Sequence, residues 1–238
     1  MKIYANGCSF IFGDELAKPT SSAWPIILSN KLNASIFNDA VSGGTNQRTL
    51  YRTIKNSQKN YDLYLIAWTT YTRFTFYKSD NNYETNFNPQ LVNDIYKNEP
   101  YYKTWGETLY KVWFNELYAF KIWLQQIIQL QKFLCNSNYL MINTFSNNLP
   151  SWLSNRESFI ENVKKFINFD IMNDEQIFEE YEEIQYYISC IDTNKFYKWN
   201  NFYIKKLSTN YECGPRGHLL EEGHTYLAET IYNHICSK

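Results

Sequence analysis

The chain opens on Lys2-Ile3-Tyr4-Ala5-Asn6-Gly7-Cys8-Ser9-Phe10, an apolar run that passes directly into a glycine and a serine. The first residues of this run are predicted to form a buried strand, and Gly7 allows a sharp turn where the strand ends. In open α/β sheets, ligands bind at the carboxyl ends of the strands. The hydroxyl of Ser9 is therefore a candidate nucleophile at the sheet edge, although a serine after a strand is also common in ordinary turns.

Strand-like and helix-like segments alternate along the rest of the chain. Short apolar runs predict further strands at residues 35–37, 62–68 and 138–144. Apolar residues at three- and four-residue steps predict helices at residues 23–32, 45–56, 107–133 and 221–235. Residues 71–104 lack a clear period and are interpreted as a long loop or an insertion. Residues 150–208 carry helical pieces around 159–167 and 177–187.

This alternation predicts an α/β fold. We expect a three-layer α/β/α sandwich with a mostly parallel, doubly wound, flavodoxin-like sheet and right-handed crossovers. No linker, internal repeat or low-complexity tract divides the sequence. We therefore predict a single domain over residues 1–238, with insertions around 71–104 and 150–208.

The composition excludes several classes of protein. The 238 residues carry 23 Lys and Arg against 24 Asp and Glu, and this balance argues against binding to nucleic acid through bulk charge. No apolar segment has the length of a signal peptide or a membrane span, so we expect a cytoplasmic protein without membrane contact. The five cysteines are widely spaced without a CxxC pair, and no ligand pattern predicts a metal or another cofactor.

Two further polar segments follow predicted strands. In Val41-Ser42-Gly43-Gly44-Thr45-Asn46, the N–H groups of two adjacent glycines could bind an anion at the start of a helix. The alternative is a flexible turn with Thr45 or Asn46 as the helix cap. In Trp68-Thr69-Thr70-Tyr71-Thr72-Arg73, Thr69 could donate a hydrogen bond and Arg73 could bind a carboxylate or phosphate. The alternative there is a solvated loop.

Two of the three histidines lie in Gly217-His218-Leu219-Leu220-Glu221-Glu222-Gly223-His224, which leads into the last predicted helix. Because imidazole exchanges protons near neutral pH, His218 in the loop is a candidate general base. His224 falls in the first turns of the helix, where packing or a hydrogen bond is the commoner role. The spacing of the two differs from that of a helical metal-binding pair.

Taken in order, these segments resemble the blocks of the SGNH (GDSL-type) hydrolase superfamily. Gly7-Cys8-Ser9-Phe10 is similar to the block that carries the nucleophile, with Cys8 where the family often has Asp. The segment around Gly43 and Gly44 is similar to the second block, and the segment that begins at His218 is similar to the last. The resemblance implies that Ser9 is the nucleophile and His218 the catalytic base. It also implies an oxyanion hole formed by the N–H groups of Ser9 and of Gly43 or Gly44.

Two positions depart from the family's pattern. Thr69 or Thr70 stands where the third block usually has Asn, so a threonine hydroxyl, with Thr69 as the candidate, would complete the oxyanion hole. Pro215 stands where the family usually has Asp, three residues before the histidine. The base then either works in a Ser–His dyad or is oriented by another acid, for which Glu212 and Asp192 are the nearest candidates in sequence.

The resemblance implies an esterase or deacylase that acts on a small-molecule or glycan ester without a cofactor. An O-acetylated carbohydrate is the first expectation, because the chain is 18% aromatic and Trp and Tyr stack on sugar faces. Compositional drift is the competing explanation for these aromatic residues. An acyltransferase that moves an acyl group to a glycan, and a non-catalytic binding module, remain open alternatives. Candidates for substrate binding or for support of the site are Asn46, Arg73, Glu212 and His224.

Overall fold

The computed structural model describes residues 1–77, 84–87, 100–146, 153, 155–166 and 173–237. Its strands are β1 (Lys2–Asn6), β2 (Ser35–Asn38), β3 (Leu63–Trp68), β4 (Phe74–Tyr77), β5 (Glu84–Phe87) and β6 (Tyr139–Asn143). Four of them form a parallel sheet in the order β2-β1-β3-β6, while β4 and β5 pair as a separate antiparallel ribbon. The strands predicted for the central sheet are confirmed to within one residue at each end.

Helices cover both faces of the sheet. In the described residues they are α1 (Ser9–Phe12), α2 (Pro19–Ser22), α3 (Trp24–Lys31), α4 (Asn46–Ser57), α5 (Pro100–Thr108), α6 (Glu116–Phe133), α7 (Arg156–Phe166), α8 (Asp174–Ser189) and α9 (Glu221–Cys236). A π-helical turn, Leu109–Trp113, follows α5, and 3-10 turns form at Thr193–Lys195 and Ile204–Thr209. None of the helices described is both long enough and apolar enough to cross a membrane.

Side chains of the central strands alternate between two cores. Ile3 of β1 packs in a core with residues of α3 and α9, whereas its neighbour Tyr4 packs in a core with residues of α6 and α8. Leu65 and Ile66 repeat this alternation in β3. Because helices cover both faces, every residue of β3 is buried, as is typical of parallel sheets. The predicted three-layer α/β fold is confirmed.

The sheet changes its winding direction beside β1. This strand pairs with β2 on one side and with β3 on the other, so the chain winds outward from it in both directions. In open α/β sheets a crevice forms outside the carboxyl ends of the strands at such a point. The segments that follow β1, β2 and β3 therefore meet at one edge of the sheet.

The single helix predicted over residues 107–133 is wrong. The chain instead forms α5, the π-helical turn and α6, with extended backbone at Phe114 and Asn115 between them. Asn115 caps α6, because its side chain accepts a hydrogen bond from the Tyr118 N–H at 2.9 Å. The ring of Phe114 packs edge-on against Phe74 of β4 at 6.0 Å, which ties the break to the β4–β5 ribbon.

The two predicted insertions contain regular structure. The segment predicted as a loop over residues 71–104 includes β4, β5 and the start of α5, while residues 78–83 and 88–99 lie outside the described residues. The helical pieces expected around 159–167 and 177–187 correspond to α7 and α8. Residues 147–152, 154 and 167–172 lie outside the described part of this region.

Candidate active site

Ser9 begins the short helix α1 directly after the turn that ends β1. Its side chain lies at the sheet edge, and the residue is 4% exposed. The turn requires glycine, because a Cβ at Gly7 would lie 2.6 Å from Ile11 Cγ1 and 2.9 Å from the Ala67 carbonyl oxygen. The tight packing of β1 against β3 therefore determines where Ser9 leaves the sheet.

The buried side-chain amide of Asn6 stabilises this turn through hydrogen bonds. Its Oδ1 accepts a hydrogen bond from the Gly7 N–H at 2.8 Å. Its Nδ2 donates to Tyr4 Oη at 3.0 Å and to the Thr49 carbonyl oxygen of α4 at 3.1 Å. A buried polar side chain that is fully bonded in this way rigidifies its surroundings. The hydrogen bonds of Asn6 therefore hold the backbone turn that leads to Ser9.

His218 is oriented by a carboxylate from the opposite end of the chain. Glu15 Oε2 lies 2.8 Å from His218 Nδ1 and also accepts the backbone N–H of His218 at 3.0 Å. Glu15 Oε1 accepts the Arg216 N–H at 2.8 Å. The Glu15 side chain is 7% exposed, and its backbone has a left-handed φ of 70°. Three contacts thus hold one carboxylate against the histidine loop.

The acid at His218 is therefore neither of the two that proximity in sequence suggested. Glu212 is exposed, and Asp192 is also exposed and caps a 3-10 turn by accepting the Asn194 N–H at 3.0 Å. Their nearness to His218 in sequence misleads, because the turn after α1 brings Glu15 to the loop across 203 positions. The expectation of Glu212 as a supporting acid is corrected to Glu15.

The ionised form of Glu15 is stabilised in this position. Burial alone would raise its pKa, but hydrogen bonds from the Arg216 and His218 N–H groups and from the imidazole hold the pKa of the carboxyl below its usual range. An ionised carboxylate at Nδ1 selects the tautomer with a proton on Nδ1. The other ring nitrogen, Nε2, then has a lone pair that can accept a proton.

Phe10 connects the helix of Ser9 with the imidazole of His218. Its ring centroid lies 4.8 Å from that of His218, and the two planes are tilted by 48°. Because Phe10 follows Ser9 directly in α1, this contact places the imidazole next to the helix that Ser9 begins. Among the described residues no hydrogen bond joins the Ser9 hydroxyl to His218; the polar contacts of the His218 imidazole and N–H are with Glu15.

The loop of Gly43 and Gly44 packs against the turn before Ser9. A Cβ at Gly44 would lie 2.5 Å from the Gly7 carbonyl oxygen, so a glycine is needed for this close approach. The Gly44 N–H donates to the Val41 carbonyl oxygen at 3.1 Å. The N–H groups of Ser9 and Gly43 therefore remain the better candidates for an oxyanion hole. A hydrogen bond from the Ser42 hydroxyl to Asp14 joins the two loops.

Asn46 fixes the end of β3. It is the first residue of α4, and the Thr45 hydroxyl before it caps the helix by accepting the Arg48 N–H at 3.2 Å. The buried Asn46 side chain accepts the Thr69 N–H at 2.8 Å and donates to the carbonyl oxygens of Thr69 and Thr70 at 3.0 and 3.3 Å. An asparagine from α4 thus holds the buried Thr69 beside the glycine loop.

Arg73 lies against the same loop. The half-buried guanidinium donates to the Gly44 carbonyl oxygen at 3.4 Å and lies over the ring of Phe145 at 5.0 Å. The Phe145 ring meets that of Phe10 edge-on at 5.5 Å. Arg73 therefore belongs to the surroundings of the candidate active site.

Comparison with solved structures identifies the fold. The chain is similar to TesA, with a TM-score of 0.51 and 10% identity over 98% of this chain and 97% of that chain. It is similar to the psychrotrophic esterase EstA from Pseudoalteromonas sp., solved with monoethylphosphonate as inhibitor, with a TM-score of 0.50 and 11% identity over 99% and 97%. It is also similar to a member of the lipolytic G-D-S-L family from Veillonella parvula, with a TM-score of 0.45 and 14% identity over 98% of both chains. The chain has the SGNH (GDSL) hydrolase fold. No protein-family model and no curated protein matches the sequence.

Within this SGNH fold, His224 has a structural position. Its Nδ1 accepts the backbone N–H of Trp24 at 3.0 Å, which joins α9 to the start of α3. The residue is 1% exposed, and burial lowers the pKa of its imidazole to about 4. The buried His224 therefore connects two helices within the core, and its Nδ1 is already used by the Trp24 N–H.

Sequence reasoning missed Glu15 and Asp14, the two acids that follow α1 in this SGNH fold. Each joins α1 to another loop, Glu15 to that of His218 and Asp14 to Ser42. A signal was present in their position, since two adjacent carboxylates follow closely after Ser9. In the described residues, no group of three or more His, Cys, Asp or Glu side chains could hold a metal ion.

Proposed function

We propose that the protein is a serine hydrolase that cleaves carboxylic esters through Ser9, His218 and Glu15. The observation that carries the proposal is the partly buried contact of 2.8 Å between Glu15 Oε2 and His218 Nδ1. A Ser–His–acid triad is recognised by its geometry and roles, whatever the order of its members in the chain. Pro215 stands where the family pattern usually has the acid, and Glu15 provides a carboxylate at His218 from a distant part of the chain.

The first half of the reaction acylates Ser9. The hydroxyl oxygen attacks the ester carbonyl carbon while His218 Nε2 takes the hydroxyl proton. The bond between the carbonyl carbon and the alcohol oxygen then breaks, and the imidazolium returns the proton to the departing alkoxide. Glu15 stays ionised and stabilises the positive charge on His218.

The second half releases the acyl group. His218 Nε2 takes a proton from water, whose oxygen attacks the acyl carbon. The bond to Ser9 Oγ breaks, and the serine regains its proton from the imidazolium. The carboxylic acid leaves, and Ser9 and His218 return to their starting states.

The N–H groups of Ser9 and Gly43 would bind the oxyanion of both tetrahedral intermediates. The loop of Gly43 lies against the turn before Ser9, and its partner Gly44 already uses its N–H within the loop. One donor to an oxyanion is worth about 10²–10³ in kcat. Thr69, whose N–H donates to Asn46 Oδ1 at 2.8 Å, is our candidate for a third donor to the oxyanion through its hydroxyl.

An O-acetylated carbohydrate remains the substrate that we propose first. The rings of Tyr101 and Trp105 on α5 are exposed on the surface of the described residues. Aromatic rings that combine an apolar face with a polar tip suit contact with sugars.

The proposal is tested with p-nitrophenyl acetate and a serine-directed phosphonate. We expect turnover, and one phosphonyl group attached to Ser9 by mass spectrometry of its peptide. Ser9→Ala should lose both, while Ser189→Ala, which changes an exposed serine at the end of α8, should retain both. A protein that neither turns over the ester nor is labelled at Ser9 would be a binding module.

A further inference from the structure

Two cationic side chains border the candidate active site from different elements. Arg73 follows β3, and Lys205 lies in the 3-10 turn Ile204–Thr209. Both reach the pair of rings formed by Phe10 and Phe145, and Phe10 contacts the imidazole of His218 at 4.8 Å. Lys205 is therefore separated from the imidazole of His218 by one ring, and Arg73 is separated from it by two.

Arg73 has few partners for a half-buried guanidinium. In the described part of the chain its guanidinium donates to the Gly44 carbonyl oxygen at 3.4 Å, lies over the Phe145 ring at 5.0 Å and interacts electrostatically with the Tyr110 hydroxyl. Its Nε is buried without a hydrogen-bond partner. No carboxylate among the described residues forms an ion pair with it.

Lys205 is held close to the Phe10 ring and to the loop of His218. Its backbone N–H donates to the Thr144 carbonyl oxygen at 2.8 Å, next to the end of β6. Its Nζ donates to the Gly217 carbonyl oxygen at 2.5 Å and lies 5.7 Å from the Phe10 ring centroid. Carbonyl and ring contacts orient this ammonium group but do not neutralise it.

The acids nearest to the site are already bonded to other groups. Glu15 accepts hydrogen bonds from Arg216 and His218, and Asp14 accepts one from Ser42. A partly buried charge that lacks a counter-ion costs free energy, and that cost falls when an anion binds. The arrangement of Arg73 and Lys205 thus favours a negatively charged ligand beside His218.

We propose that the substrate is an anionic ester, in which a carboxylate or a similar oxyanion group is bound by Arg73 and Lys205 while Ser9 attacks the ester carbon. The inference rests on the proposed esterase function. The charged group takes no part in bond making and is not changed by the reaction. Its role is to bind and orient the ester, so it belongs to substrate selection.

Matched ester pairs test this preference. Mono-4-nitrophenyl succinate carries the charge in the acyl group, and its methyl ester removes the charge. 4-Acetoxybenzoate and its methyl ester do the same for the leaving group. We expect the wild-type kcat/KM to be about tenfold or more higher for the charged member of at least one pair, as a charge-assisted hydrogen bond provides.

Variants at Arg73 test whether this residue causes the preference for the charged ester. Arg73→Gln should lower kcat/KM for the preferred anionic ester about tenfold more than for its methyl ester. Arg73→Lys keeps the charge and should retain part of the preference. The control is Lys59→Gln, since Lys59 lies over the Phe37 ring at 5.1 Å beyond the far end of α4. Thermal unfolding of each variant verifies that it is folded.

Each outcome decides between the two proposals. Equal rates for the members of both pairs, with Ser9→Ala inactive, overturn the anionic substrate and leave the esterase standing. An equal loss for charged and neutral esters in Arg73→Gln also overturns it, because Arg73 would then serve the reaction itself. If the wild-type protein hydrolyses none of the four esters, the esterase proposal falls and this inference falls with it.

Discussion

At the residue scale, the acid that contacts His218 comes from a position far away in sequence. In the role that we propose for His218, a negative charge is needed at Nδ1, and any carboxylate that the fold places there can supply it. Glu15 does so from a backbone with φ of 70°, a conformation that costs about 1 kcal/mol or more for a residue other than glycine. The hydrogen bonds from Arg216 and His218 offset that cost.

Glu15→Gln should impair catalysis far more than folding. An amide can donate to Nδ1 and so favours the tautomer in which Nε2 carries the proton and cannot act as a base. We expect kcat on p-nitrophenyl acetate to fall by about 10²–10⁴. Steady-state kinetics, together with thermal unfolding of the variant, measures both effects.

The control for that substitution is Glu222→Gln. Glu222 is exposed in the first turn of α9, so its loss should leave kcat close to the wild-type value. A Glu15→Gln protein that keeps more than about a third of the wild-type kcat would show that a Ser–His dyad suffices, since a triad acid contributes orders of magnitude.

At the element scale, α4 and β3 are joined at the site by one side chain. Asn46 makes three hydrogen bonds with Thr69 and Thr70. The Thr45 hydroxyl caps the start of α4 directly before Asn46. The family pattern takes an asparagine from the segment after the third strand. Here an asparagine of α4 bonds to that segment instead, and it joins the two elements at the candidate site.

Asn46→Ala is expected to lower the free energy of unfolding by about 1–3 kcal/mol, because the buried Thr69 N–H loses its acceptor. Urea denaturation monitored by tryptophan fluorescence measures the change. Asn233→Ala in the exposed face of α9 is the matched control and should be neutral or slightly stabilising, since alanine favours helix. Equal stability of the two variants would mean that Asn46 does not join α4 to β3.

At the scale of the whole molecule, the N- and C-terminal parts share one core. The helices α3 and α9 pack together on the same face of the sheet, and the bond from the Trp24 N–H to His224 joins them across 200 positions. The imidazole is neutral in the folded protein, because burial lowers its pKa from 6.5 to about 4. This bond makes the stability of the shared core sensitive to pH.

Stability should therefore fall as the pH decreases from 6.5 towards 4. In that window His224 takes up a proton in the unfolded chain but not in the folded one, so the unfolded state is favoured. The contribution is fully present above pH 6.5. It corresponds to a loss of about 2 kcal/mol between pH 7.5 and pH 5. Urea denaturation at the two pH values measures it.

His224→Gln separates this effect from other titrations. Its stability at pH 7.5 should be lower than that of the wild type, because the Trp24 N–H loses its original acceptor. The decrease between pH 7.5 and 5 should shrink by about 2 kcal/mol. An unchanged pH dependence would show that the pKa of His224 is the same in the folded and the unfolded protein.

The sequence by itself determined the strands of the sheet, the order of layers and the positions of Ser9 and His218. Those features depend on local signals: apolar runs, helical spacing, and glycines at the ends of strands. Asn115 shows the limit of such signals, since the apolar spacing continues through residues 107–133 while one capping side chain divides the helix.

The tertiary structure alone decided which acid faces His218, which groups surround Arg73 and what His224 does. Each of these contacts joins residues that are far apart in the chain, such as Glu15 with His218 and Trp24 with His224. A hydrogen bond or a ring contact depends on atoms that lie a few ångströms apart in space. No periodicity along one segment contains that information, because it arises only when the layers pack.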